Sequence, residues 1–400
     1  MNTIFLKKIN ILLYFTIIMF LLGDVLRKVA IYLNLEFIRY TGLSKTIVIL
    51  TYLVFIIFWI RNYIEIKVTK KFIYLFTILI VVFFCGQFIL KSSPSLLQSV
   101  NGNILFFSRF LYWPLTLIIF FPLITSKNYS NTHLNFFINL FFINIGLIAL
   151  GFFFEINLFK TYNNESRFGF MGIYNTSNQV SYYFILFILY YYYRVFFKSE
   201  NILLFSIVLI TSLFIGTKKV YFFLIILFIY HFFKFKLYKE RNFYAVFLIL
   251  VTLLFSFFSN LKALFASKFS IFIDLYYESG LMTSLTSFRN QLLIKAFDYI
   301  LNVWRIPNYI LGGPNFNEIR SEFGLFDLYV FFGLFGLYAY YFYFKAYYQA
   351  TSFDKFYLFI LISIGITAFL SSGFLSDANQ PLVFVLISGY FIVENKYKLN

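Results

Sequence analysis

The chain has 400 residues, 61% of them apolar and 12% charged, with a net charge of +17 and a mean hydropathy of +0.82. Soluble domains run nearer to roughly 45–50% apolar and 25% charged, so a soluble enzyme is excluded and an all-α polytopic membrane protein is expected. One cysteine, Cys85, leaves neither a disulfide framework nor a thiolate metal site. Phe, Tyr, Ile, Asn and Lys share AT-rich codons, so the 63 Phe and 34 Tyr are read as lipid-facing or packing residues rather than as a carbohydrate platform.

Apolar runs long enough to cross about 30 Å of hydrocarbon recur along the chain. Spans are predicted near 9–23, 44–60, 72–90, 104–125, 134–156, 177–197, 202–216, 219–234, 242–259, 325–344, 356–371 and 379–394, or about twelve in one polytopic domain covering 1–400. The N-terminal lysines and apolar run are read as a retained first helix, because no small-residue cleavage site follows. Lys and Arg near the span ends, above all "KFKLYKER", favour both termini inside. On that orientation His133 and His231 fall at cytoplasmic span ends, and one long extracytoplasmic loop covers 260–324.

Basic residues on the expected outer face mark the candidate site. Arg109, in "NILFFSRFLYWPLTL", lies inside the fourth span, where a cation is costly and functional by default; a structural pair with Glu155 is the alternative. Arg167 opens the irregular loop "RFGFMGIYNTSNQVSYYF", with Ser177 or Asn178 as a cap for the helix that follows. Lys218 and Lys219 stand side by side in the short "GTKK" turn, where two ammonium groups need water or an anion. "SLTSFRNQLLIKAFDYILNVWRIP" predicts an amphipathic interfacial helix capped by Ser287 and ended by Pro307, with Arg289 at one end and Arg305 at the other.

The stretch "ILGGPNFNEIRSEFGLFDLYVFFGLFG" then gathers Glu318, Glu322 and Asp327 at the mouth of a span. Glu322 is expected to be a base, since it lies in the loop, and Asp327 a structural partner of Arg289 or Arg305. The sequence carries no serine elbow, phosphate-binding loop or metal-ligand spacing.

These pieces together resemble the bacterial O-antigen and capsular polysaccharide polymerases, the Wzy family, which is related to the O-antigen ligases. The likeness rests on the span plan, the "R-x-G-x-x-G" loop, the "T-K-K" turn and the late R…W…"LGG"…"E-x-x-x-x-D-L"…"FGLFG" run. The ligase branch is expected to carry an outer histidine, which this chain lacks. What the resemblance implies is a GT-C-like polymerase/ligase fold in the cytoplasmic (inner) membrane with its active face extracytoplasmic. It also implies a metal-independent glycosyltransferase, without cofactor, acting on undecaprenyl-pyrophosphate-linked oligosaccharides. Arg109, Arg167, Lys218, Lys219 and Arg305 would bind pyrophosphate, while Glu322, Arg289 and Asp327 would carry the chemistry. Expected partners are membrane lipids, a chain-length regulator and a flippase, with no nucleic acid. A polysaccharide flippase and a ligase-type transferase are the competing readings.

Overall fold

The computed structural model describes residues 3–33, 35, 40–90, 96–126, 129–162, 168–256, 270–316 and 319–398. Among them the chain is helical throughout and forms no sheet; Lys160 and Phe170 make one isolated bridge. The helices are α1 (Thr3–Tyr32), α2 (Tyr40–Glu65), α3 (Lys67–Phe88), α4 (Leu96–Thr125), α5 (Thr132–Phe153), α6 (Ser177–Lys198), α7 (Ile202–Leu213) and α8 (Lys218–Lys234). They continue with α9 (Arg241–Ser256), α10 (Ser270–Thr286), α11 (Arg289–Val303), α12 (Ile306–Leu311), α13 (Gly324–Ala350), α14 (Lys355–Leu370) and α15 (Gln380–Lys398).

Each stretch read as a span contains helix, although residues 257–259 of one lie outside the described residues, and not every such helix is long enough to cross. Seven helices, namely α1 to α6 and α13, are long and apolar enough to cross a membrane, and α7, α14 and α15 are shorter apolar helices. The chain is a multi-pass helical membrane protein.

Burial separates the helices into two kinds. α6 is covered on every side from Gln179 to Tyr193, as are residues 110–124 of α4 and 380–392 of α15. A helix apolar around its whole circumference belongs inside the bundle, and α15 packs on both α4 and α6. α1, α2 and α3 instead alternate buried and exposed apolar residues, with Ile57, Phe58 and Phe88 facing outward.

Two features depart from the sequence reading. First, α1 does not stop near residue 23 but runs on to Tyr32, carrying Asp24, Arg27 and Lys28 on its last turns. Second, the "GGPN" turn is folded into the bundle. α13 is interrupted at Gly333 (φ 63°, ψ −160°), and α12 lies against that break. A Cβ on Gly333 would sit 2.2 Å from the Ile310 carbonyl oxygen, and one on Gly312 would sit 2.6 Å from the Phe331 backbone.

Interrupted backbone at membrane depth is tolerated where protein groups satisfy it, and they do here. The Gly313 amide donates to the Val330 carbonyl at 3.2 Å, and Trp304 Nε1 donates to the Gly313 carbonyl at 3.1 Å. Asn103 Nδ2 donates to the Pro314 carbonyl (2.8 Å), and Asn308 Nδ2 donates to the Gly312 carbonyl (2.6 Å). Gly333→Ala adds both a left-handed backbone penalty and an overlap, so a loss of about 2–3 kcal/mol is expected. The purified variant should unfold at lower temperature than wild type in a thermal scan.

Candidate functional site

The amphipathic helix forms as α11, with Ala296, Ile300 and Trp304 buried and Gln291, Lys295, Asp298 and Asn302 exposed. Its start differs from the expectation. Ser287 and Phe288 both take left-handed backbone (φ 53° and 68°), and Phe288, not Ser287, occupies the N-cap position without a side-chain bond. The Ser287 hydroxyl instead accepts from Lys218 Nζ at 3.0 Å, and the same ammonium donates to the Ser284 carbonyl. Nor does Pro307 end this helix: it opens the short α12. The double left-handed turn leaves Arg289 as the first residue of α11, where Nε lies 3.2 Å from Glu322 Oε2. Both side chains are part-exposed, at 25% and 36%.

Glu322 is itself in left-handed backbone (φ 61°), two residues before α13 begins. What holds it there is Asp327. Its Oδ1 accepts from the Ser321 amide (2.9 Å) and the Ser321 hydroxyl (2.6 Å), and Ser321 Oγ accepts from the Phe323 amide at 3.1 Å. Asp327 is 4% exposed. It is therefore not the partner of Arg289 or Arg305, as the sequence suggested, but a clamp on the turn that presents Glu322. The sequence argument failed because the turn bends Asp327 back onto Ser321, a contact six residues apart that no helical spacing predicts.

Lys219 sits beside this pair. Its Nζ donates to Asn178 Oδ1 (2.8 Å) and the Ser372 carbonyl (3.1 Å), and stands 4.1 Å from the centre of the Tyr182 ring. It feels the charges of Arg289, Glu322 and Asp377. Asn178 is thus a partner of Lys219; the cap of α6 is Thr176, whose hydroxyl accepts from the Gln179 amide at 3.2 Å. The "GTKK" turn is locked to the preceding loop: Phe170 N–H donates to the Phe214 carbonyl at 2.8 Å, and a Cβ on Gly216 (φ 70°) would lie 2.0 Å from the Phe168 carbonyl oxygen.

Lys218, Lys219, Arg289 and Glu322 are therefore brought together at one end of the bundle. Arg305 is not with them. It stands sixteen residues along the chain from Arg289, roughly 24 Å by helix rise, and is exposed at the start of α12. Arg109 is exposed, with its guanidinium 5.2 Å from the Phe106 ring centre. No Arg109–Glu155 ion pair forms among the described residues; Glu155 is exposed just beyond α5. Arg109 feels Arg320, Arg27 and Asp377 instead. Arg167 and Glu318 lie outside the described residues.

Sequence reasoning missed a second polar layer beneath the cluster. Asp24 is buried and accepts at Oδ2 from Gln179 Nε2 (2.6 Å) and Asn379 Nδ2 (3.1 Å). Lys28, also buried, donates to the Gly172 carbonyl. Lys45 pairs with Asp377 at 3.3 Å. Gln380 Nε2 reaches the Gln179 carbonyl at 3.3 Å, tying this layer to the residue next to Asn178. A cavity of about 20 Å³ borders Asp24, Gln179 and Asn379, enough for one water. The spacing of Asp24 and Lys28, one helical turn apart at the end of an apolar run, was the available signal.

His133 and His231 lie at the other end of the bundle: His133 begins α5, and His231 closes α8 with Nδ1 2.9 Å from the Tyr192 hydroxyl. Among the described residues no three His, Cys, Asp or Glu side chains converge as metal ligands would. No protein-family model, curated protein or solved structure matches the chain.

Proposed function

We propose that the chain is a polysaccharide polymerase, a membrane glycosyltransferase that joins undecaprenyl-pyrophosphate-linked oligosaccharide repeat units at the outer face of the cytoplasmic membrane. The observation that carries this reading is the meeting of Arg289 and Glu322 at 3.2 Å beside Lys218 and Lys219, at the end of the bundle away from both histidines. Three cations at one place suit a pyrophosphate, and a part-exposed carboxylate beside them suits an acceptor hydroxyl.

In this mechanism the donor pyrophosphate lies against Lys218, Lys219 and Arg289. The acceptor sugar oxygen attacks the anomeric carbon of the donor while the bond from that carbon to the pyrophosphate oxygen breaks. The bonding pair leaves on undecaprenyl pyrophosphate, and the hydroxyl proton passes to Glu322, which later releases it to water. Cations fixed by Ser287, Asn178 and Ser372 meet the charge growing on the leaving group without reorganising. A part-exposed ion pair is worth about 0–1 kcal/mol, so an arriving phosphate can draw Arg289 away and free Glu322 to act as base. Asp327 is a positioning residue in this scheme, because it reaches the reacting atoms only through the Ser321–Phe323 turn.

A transporter reading draws support from Asp24 and Lys28, two charges buried within α1. Deleting the gene separates the two. A polymerase leaves cells with single capped repeat units and no long chains, whereas a flippase leaves no surface repeat units at all. Purified protein supplied with lipid-linked repeat units should build a ladder of chain lengths; absence of any ladder with confirmed substrate would overturn the polymerase reading.

A further inference from the structure

At the end of the bundle opposite Arg289, α8 and α14 leave an open groove of about 440 Å³, within the range of small-molecule sites. Ile226, Ile229 and Phe233 of α8 and Phe359 of α14 line it, with Tyr230 stacked on Phe359 at 3.8 Å between ring centres. Lys234, the last residue of α8, borders the same groove. It is exposed, with its ammonium 5.5 Å from the Phe197 ring centre, and has no ion pair among the described residues.

The chain then turns sharply at Lys236 (φ 53°), passes through a 3-10 turn at Leu237–Lys239 and enters α9 at Arg241. Lys234, Lys236, Lys239 and Arg241 are all exposed, and Glu240 is the one acid among residues 234–241. On the facing element Asp354 is engaged as the cap of α14, accepting from the Tyr357 amide at 2.9 Å. An apolar slot therefore ends at Lys234, with three more exposed cations in the seven residues of chain that follow.

We propose that this groove is a binding site for one anionic phospholipid, with an acyl chain along Ile226, Ile229, Phe233 and Phe359 and its phosphate against Lys234 and the cations that follow. Basic pockets between membrane helices attract anionic headgroups. A zwitterionic headgroup would bring its own cation to a site bordered by Lys234 and followed along the chain by three more cations, so the charge pattern selects phosphatidylglycerol over phosphatidylcholine.

The test uses the full chain purified in neutral detergent and titrated with dioleoyl phosphatidylglycerol or dioleoyl phosphatidylcholine, with bound lipid counted by native mass spectrometry. One phosphatidylglycerol should be retained about tenfold more tightly than phosphatidylcholine. The double variant Lys234→Ala, Lys236→Ala should lose that preference, and Lys234→Arg should keep it. Ile229→Trp, which fills the slot without altering charge, should lower retention of the tightly held lipid about tenfold. Equal retention of both lipids by the wild type would overturn the proposal, as would a preference untouched by both the double variant and Ile229→Trp.

Discussion

Replacing Glu322 with Gln is expected to slow chain growth by about 10²–10⁴-fold, the usual contribution of a general base, while the amount of protein in the membrane stays the same. Gln keeps the size of the side chain and can still accept from Arg289 Nε, so the geometry survives and only the charge and proton affinity are lost. Stability should hardly change, because the Arg289–Glu322 pair is part-exposed and such pairs contribute about 0–1 kcal/mol. The left-handed turn at Glu322 is maintained by Asp327 and Ser321, not by the glutamate side chain. Asp327→Ala makes the useful contrast. It strips two hydrogen bonds from a buried site, so thermal stability and chain growth should fall together, by about 1–3 kcal/mol in stability. Ladder length from lipid-linked substrate, read beside thermal unfolding of each variant, checks both. A Glu322→Gln enzyme within about threefold of wild type would remove the carboxylate from the mechanism.

Lys219→Met should separate function from folding in the opposite sense. Lys219 is a half-buried cation held at Asn178, Ser372 and the face of Tyr182. Replacing a desolvated charge with an apolar side chain of similar length recovers its desolvation cost but leaves the Asn178 and Ser372 acceptors without their donor, a cost of about 1–3 kcal/mol. The two oppose each other, so the unfolding temperature should stay close to that of wild type. Chain growth should nonetheless fall by about 10²–10³-fold, the typical loss when one fixed group facing a developing anion is removed. Lys219→Arg keeps the charge but places a planar fork where a compact ammonium fitted, and should recover only part of the rate. A variant that unfolds early and loses activity in proportion would assign Lys219 to the scaffold alone.

The helical character of the bundle was legible because hydrocarbon imposes one simple demand, an unbroken apolar run, and seven such runs form helices long enough to cross. The face of α11 was legible for the same reason: the repeat that buries Ala296, Ile300 and Trp304 is local. What escaped is everything settled by contact between distant segments. Arg289 meets Glu322 across 33 positions, and Lys219 meets Ser372 across 153. Glu322 and Asp327 lie five residues apart but not on one helix, because α13 starts at Gly324, between them. The first span was expected near 9–23, short of Asp24, Arg27 and Lys28. The helix continues because Asp24 is buried against Gln179 of α6 and Asn379 just before α15, and Lys28 against the Gly172 carbonyl. The break at Gly333 was hidden by its own setting, since "FFGLFG" reads as an ordinary apolar run.

That break divides α13 into two rods. Residues 324–332 have α12 wedged alongside and also pack through Phe331 and Phe332 on Phe83 of α3 and Phe107 and Phe110 of α4. The shorter rod carries the carboxylate-bearing turn at its start, so substitutions at Ile310 or Gly312, which pack against the break, are expected to shift its angle and with it the aim of Glu322.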